Sequence, residues 1–460
     1  MSLSAVLAQV DAGLPRYITA LKELVRIPSV STGGDPAATP HLRRAAGFLA
    51  DWLRRLGLCS ECLQVAPDAS PVVLARPDPL VAGRPTVLIY GHYDVQGVDN
   101  PRSAWRYDPF AAVEEDGYLV GRGASDNKGQ ILAHVGALDA CRAAGVELPV
   151  NPVYLVEGEE ECGSGALSRF VAGGGLDAFA PLLCTVISDS SMYAPEQPSL
   201  TLGLRGIAYL EVTVRGPRQD VHSGLFGGIA PNPALALARG LAALVDAEGR
   251  VRVPGFYDEI REPAAAERRA YASLPVDEAG LRLAIGAPSL VGEPDRTLLE
   301  RVWTRPTLDV HYLSAGSRRT VIPAQAVAAL SCRLVPEQDP QRILAALQQH
   351  LRAHLTDAVE VEFGAAHTAC PYGLAMDHPL VAPVLRALRI GFGIEPVLGR
   401  EGGSIPVAVE IAARTGAPVL LVGFGQRTDN WHGPDERFSL RDYHRGVRTA
   451  AALLYELSAA

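Results

Sequence analysis

Three short, uninterrupted apolar runs set the strongest limit on how this chain can fold: PTVLIY (85–90), PVYLVE (152–157) and LLCTVIS (182–188). Each lies between segments of helical periodicity, among them residues 40–56 and 128–144. A strand apolar on both faces must be covered on both, and a parallel sheet flanked by helices does this. The character changes at GIAYLEVTVRG (206–216), which alternates apolar and polar positions as a half-exposed antiparallel strand does. A helix from about Pro231 to Asp246 follows, with Pro233 in its first turn. Beyond a polar, Pro-rich stretch (251–306) come strands near 307–313 and 326–335, a helix near 339–354 and the strand VEVEF (359–363). That βαββαβ order predicts a ferredoxin-like unit. From Pro379 the α/β character returns, with a helix at 379–391, the strand APVLLVGFG (417–425) and a terminal helix at 440–457. The expected fold is a discontinuous α/β domain, 1–204 and 376–460, interrupted by a smaller α+β insertion, 205–375.

With 460 residues the chain is long enough for two or three domains with sizeable cores. A net charge of −9 argues against a nucleic-acid or anionic-membrane partner. The N-terminal segment reads as an amphipathic helix rather than a signal peptide, and no stretch approaches a membrane span. Seven scattered cysteines, an odd number, predict reduced thiols and a cytoplasmic setting. Cys59 and Cys62 form a lone CxxC, and with no second pair the spacing is read as incidental.

Ligands in open α/β sheets bind beyond the carboxyl ends of the strands. Here each inferred strand delivers a metal-capable side chain at that end. PTVLIYGHYDV leads to His92 and Asp94, VYLVEGEEE to Glu159, Glu160 and Glu161, and CTVISDSS to Asp189. PVLLVGFG leads through a loop to His432 in DNWHGPDER, and GYLVGRGASDNKGQ places Asp126 just before a helix start. Singly, each has an ordinary reading: a backbone-bonded histidine, an N-cap at Asp126, a turn at Asp189–Ser190. Together they gather carboxylates with few cations nearby in sequence, a cluster that repels itself unless a metal compensates it. The set His, Asp, Asp, Glu, His suits a two-metal site with one bridging carboxylate. Two ions about 3.5–4 Å apart bind and deprotonate a shared water and polarise a carbonyl. The H-x-D spacing lets Asp94 accept the remaining ring N–H of His92.

GHYDVQ, GRGASDNKGQ, EGEEECGSG, ISDS, DVHSGLFGG, TVIPAQ, REGGSIP and WHGPDER follow the order in which the M20 metallopeptidases carry them. The chain resembles that family over roughly residues 5–458, and its cytosolic dipeptidase and carnosinase branch most. The resemblance implies a di-metal, aminopeptidase-like α/β catalytic domain carrying a ferredoxin-like lid that dimerises. It implies that His92 and Asp189 hold one metal, Glu161 and His432 the other, and that Asp126 bridges them. Two divalent ions per subunit are expected, Zn²⁺ first, with Mn²⁺ or Co²⁺ as alternatives. In the family pattern E-E-x-G-S, Glu160 is the general base and Glu161 the ligand, which leaves Glu159 facing solvent or an outer partner. The peptide after Asp126 is typically cis in this family.

The implied reaction is hydrolysis of the amide of dipeptides or short peptides with a free C-terminal carboxylate. Glu160 takes a proton from the attacking water and returns it to the leaving amine. His222 in QDVHSG resembles the lid histidine inserted into the neighbouring subunit's site, where the oxyanion needs a donor. Arg333 in SCRLVP resembles the arginine that binds the substrate carboxylate, and Thr320 and His367 stand at substrate-contacting positions. Gly402, Gly403 and Ser404 lie at an expected helix start, where backbone N–H groups suit a carboxylate. HTACPYG departs from the HGGxPW-like stretch of many dipeptidases and leaves the side-chain preference open. The rival reading keeps the metals and takes N-acyl or N-carbamoyl amino acids as substrate.

Overall fold

The apolar runs at 85–90 and 152–157 become the strands Thr86–His92 and Asn151–Glu157, in which every residue is buried. The computed structural model describes residues 2–34, 39–403 and 405–459. In it these two strands pair in parallel, His92 opposite Glu157, and Leu182–Ile187 pairs in parallel on the other side of Thr86–His92. They form the middle of an eight-stranded sheet that continues through Val419–Leu421, Ser199–Thr201 and Val397–Gly399. At the opposite edge Val72–Arg76 and Cys59–Leu63 join antiparallel, so the sheet is mixed. The helix Lys128–Ala143 is buried along most of its length against Leu3–Val25 and Leu440–Glu456. Leu3–Val25 buries Val6, Val10, Gly13, Tyr17, Leu21 and Leu24, a spacing of three and four that makes one apolar stripe.

The strand expected at 417–425 is shorter, Val419–Leu421. Gly423 explains it: a Cβ there would lie 2.0 Å from the Ser190 carbonyl oxygen, so the chain passes too close to its neighbour for regular pairing. Phe424 N–H then turns to donate to the Gln130 side chain.

Backbone contacts divide the chain into two compact units, one of Met1–Leu202, Leu374–Gly399 and Pro406–Ala460, the other of Gly203–Gly373 and Arg400–Ile405. The second unit is built on an antiparallel sheet ordered Thr307–Ala315, Gln325–Leu334, Gly206–Arg215, Glu360–Ala369. Gly206–Arg215 alternates buried and half-buried residues, as its sequence predicts. Its buried face, with Leu210, Val212 and Val214, meets the helices Pro233–Ala242 and Pro340–His354. Each leucine buried there contributes roughly 1.5–3 kcal/mol. Two expectations need correction. Glu360–Ala369 runs six residues past Phe363, held by pairing with Gly206–Arg215 rather than by any apolar alternation of its own. The stretch 251–306 holds three short helices, Ala265–Ala272, Glu278–Ile285 and Leu298–Trp303. Local capping starts two of them: Asp277 accepts from Gly280 N–H, and Thr297 with Glu300 forms a capping box.

Candidate metal centre

His92 is the last residue of its strand, and the chain beyond it carries Asp94. Gly91 is required just before: a Cβ there would lie 2.8 Å from Asn127 Oδ1. The close approach lets Asn127 Oδ1 accept from His92 N–H, while its amide donates to Ser188 O and Asp189 Oδ1. Asn127 therefore ties two strand ends together, and its peptide with Asp126 is cis.

Around this tie the side chains fall into two groups of possible donors, His92, Glu160 and Asp189, and Asp126, Glu161 and His432. Asp126 connects them. Its Oδ1 lies 3.2 Å from His92 Nε2 and its Oδ2 3.0 Å from His432 Nε2. Each imidazole also has its own carboxylate, Asp189 at 3.5 Å from His92 and Glu161 at 3.3 Å from His432. A tetrahedral ion bound at about 2.0–2.1 Å holds neighbouring donors about 3.3 Å apart, so these spacings fit a pair of cations. His92 Nε2 is buried and makes no aligned hydrogen bond despite those neighbours. That is the environment of a nitrogen whose lone pair is reserved for an ion.

The electrostatics agree. Burial pushes the Glu160 carboxyl up to about 9; His92 opposes the rise, while Asp189, Glu161 and Asp94 add to it. Hydrogen bonds to Asp126 and Glu161 push His432 up to about 10. Burial alone would raise Asp126, yet its hydrogen bond with His432 and the nearby His92 ring hold its carboxyl well below the usual range. Without cations, protons must supply the compensating charge.

Asp94 has two tasks. His92 Nδ1 lies 3.1 Å from the Asp94 main-chain oxygen and 3.3 Å from its carboxylate, so both fix the ring. The same carboxylate accepts from Glu160 N–H, Glu161 N–H and the Ser31 hydroxyl, anchoring the acidic loop to the histidine. Gln96 donates to Glu161 Oε2 at 2.9 Å. Glu159, half-buried, has outer partners: it accepts from Ser70 N–H and Ala166 N–H, clamping the start of the helix Gly165–Ala172. Ser31, Gln96 and Asn127 are contacts that spacing along the chain did not reveal.

The other expected site residues lie in the second unit. His222 is exposed, its ring nitrogen accepting from Gly224 N–H, and it sits beside Thr320, whose carbonyl receives the Ser223 hydroxyl. Arg333 pairs across the sheet with Ile207, and its carbonyl accepts from the Arg205 side chain. His367 stacks on Tyr209 at 4.5 Å. Gly402 and Gly403 form a bend ahead of a helix that begins at Pro406, later than expected, and Gly402 N–H is directed at Glu401 Oε1. Ser404 lies outside the described residues.

A mixed α/β sheet whose strand ends gather imidazoles around a shared carboxylate is the architecture of a metal-dependent hydrolase. The chain belongs to peptidase family M20/M25/M40, whose model matches residues 88–456. It is similar to the Cys-Gly metallodipeptidase dug1 of Schizosaccharomyces pombe, at 32% identity over 100% of this chain and 99% of that protein. It is also similar to the Beta-Ala-His dipeptidase of Homo sapiens, at 32% identity over 99% of this chain and 93% of that protein. The crystal structure of human carnosine dipeptidase 1 aligns with a TM-score of 0.81 at 31% identity, covering 100% of this chain and 99% of that one. The M20 family metallo-carboxypeptidase Sso-CP2 from Sulfolobus solfataricus aligns at 0.82 and 28% identity, over 96% and 99%. The protein is thus a metallopeptidase-family enzyme dependent on divalent metal ions, and no helix among the described residues is long and apolar enough to cross a membrane.

Proposed function

We propose that this enzyme hydrolyses the amide bond of dipeptides or short peptides with a free C-terminal carboxylate, using two divalent ions per subunit. The observation that carries the reading is Asp126 set between two imidazoles, each with its own second carboxylate and with Glu160 beside one of them. His92, Asp126 and Asp189 would hold one ion, and Asp126, Glu161 and His432 the other. Mixed imidazole and carboxylate donors suit Zn²⁺ first, with Mn²⁺ or Co²⁺ as alternatives. When bound, the ions acidify water and polarise the substrate carbonyl.

The chain's own groups supply the rest. Glu160 takes a proton from the attacking water and delivers it to the departing amine, so the base is regenerated in each cycle. Asp94 keeps Glu160 in place through the backbone N–H that it accepts. His222 serves as a hydrogen-bond donor to the developing oxyanion, contributed across a homodimer. Arg333 anchors the substrate carboxylate. Thr320, His367 and the 402–404 segment complete the substrate contacts. All seven cysteines are free, in keeping with a cytoplasmic location.

The fungal and human relatives are both dipeptidases, which favours peptides over N-acyl or N-carbamoyl amino acids. The test is a panel of dipeptides and N-acetyl amino acids, assayed on metal-stripped protein reconstituted with each ion. Amino-acid release from dipeptides alone is expected. Faster release from the N-acetyl series would overturn the substrate assignment and leave the metal site standing.

A further inference from the structure

Beneath the metal centre lies a fully buried ion pair that none of the catalytic steps uses. Arg122 and Glu436 are 1% and 0% exposed and meet at 2.8 Å. The Glu436 carboxylate accepts three more hydrogen bonds, all from backbone N–H groups of one short segment: Gly123 at 2.9 Å, Ser125 at 3.0 Å and Asp126 at 3.0 Å. Its main-chain oxygen accepts from Gly121 N–H as well. Glu436 thus grips, at both ends, the turn that presents Asp126.

A second set of bonds runs the other way, to the loop that carries His432. The Ser125 hydroxyl donates to Asp429 and accepts from the Trp431 indole at 2.9 Å. Asp429 also accepts from Gln426 N–H. His432 itself sits at φ +59°, a left-handed backbone uncommon for residues other than glycine. Arg122 extends the connection further: it lies over the Trp105 ring and reaches the Gly97 carbonyl, next to Gln96, which orients Glu161. A buried ion pair contributes little net stability compared with apolar residues of similar volume. Its hydrogen bonds here all converge on the segments that bear metal-ligating groups.

We propose that Glu436, paired with Arg122, is a positioning residue for the metal centre: it fixes Asp126 so that one carboxylate oxygen faces each imidazole. This rests on the two-ion reading of the site. The probe is Co²⁺, titrated into metal-stripped protein against a chromophoric chelator and followed by its d–d absorption.

The parent protein is expected to bind two Co²⁺. Glu436→Gln keeps the size of the side chain but replaces one accepting oxygen by an amide that cannot accept backbone N–H bonds. It should lower affinity at both sites by about 10–100-fold and change the d–d spectrum. Glu436→Asp, which keeps the charge, should recover part of that loss. Should Glu436→Gln fail to fold, Glu436→Asp carries the test: one methylene shorter, it cannot reach all three backbone N–H groups at once, and a several-fold loss of Co²⁺ affinity is expected. A folded Glu436→Gln, or in its place a folded Glu436→Asp, with Co²⁺ affinity within twofold of parent and an unchanged spectrum overturns the proposal, even if its melting temperature falls. Failure of the parent protein to bind two ions would instead remove the two-ion reading itself.

Discussion

Three adjacent glutamates illustrate how neighbours of one type acquire separate tasks. Glu159 is committed to backbone N–H groups of Ser70 and Ala166, Glu160 lies with His92 and Asp189, and Glu161 with Asp126 and His432. Glu160→Ala should leave ion content intact and reduce turnover by at least about 10²–10⁴-fold, the span of a lost general base. Glu161→Ala should instead lower ion occupancy, as read by elemental analysis after gel filtration; normal occupancy there would exchange the two roles. Ion entry must also displace protons. Hydrogen bonds to Asp126 and Glu161 push His432 up to about 10 in the metal-free protein, so at pH 7 it holds a proton that binding an ion there must displace. Calorimetric titration with Zn²⁺ in buffers of differing ionisation heat should therefore report release of at least one proton at pH 7, with affinity rising as pH rises. No buffer dependence would contradict this. The metal-capable residues were legible because most follow a strand end in the sequence and Asp126 precedes a helix start. Glu436 was not, because in WHGPDER it resembles any loop charge and its partners lie more than 300 residues away.

At the level of elements, the strand Thr307–Ala315 lies at the edge of its sheet with Val310, Tyr312 and Leu313 46–56% exposed. An unpaired edge with apolar side chains invites pairing with another chain, which fits the proposed dimer. Val310→Lys is expected to shift the protein to monomer in analytical ultracentrifugation and to lower activity with it; an unaltered dimer would move the interface elsewhere. His222 allows a sharper test. His222→Ala and Glu160→Ala should each be inactive, yet after subunit exchange about a quarter of sites are complete if the histidine acts in trans. Exchange demonstrated by labelled subunits without recovered activity would place the histidine in cis. Elements with strong periodicity were readable from sequence: residues 40–56 and 128–144 appear as Thr39–Arg55 and Lys128–Ala143. The helices within 251–306 were not, because six to eight residues are too few to establish a period and their starts depend on individual caps.

For the molecule as a whole, the sequence conveyed the α/β class because burial leaves different marks on doubly covered and half-covered strands. It conveyed much less about pH response, which depends on which ionisable groups the fold encloses. His134 is the clearest case. Its ring bonds the Ser188 hydroxyl at 2.8 Å, and burial pushes it down to about 4 from an ordinary 6.5. Between those values the unfolded chain takes up a proton that the folded chain refuses. Stability from this group is therefore complete above about pH 6.5 and is lost as pH falls toward about 4, by roughly 3 kcal/mol across the whole interval. His134→Gln, which cannot titrate, should flatten that acid limb. Urea midpoints of both metal-free proteins at pH 7 and pH 4.5 would measure it, the shared titration of the metal-capable cluster cancelling in the difference. Parallel declines in the two proteins would mean that His134 is protonated in the folded state at pH 4.5, and that acid sensitivity originates in the metal centre instead.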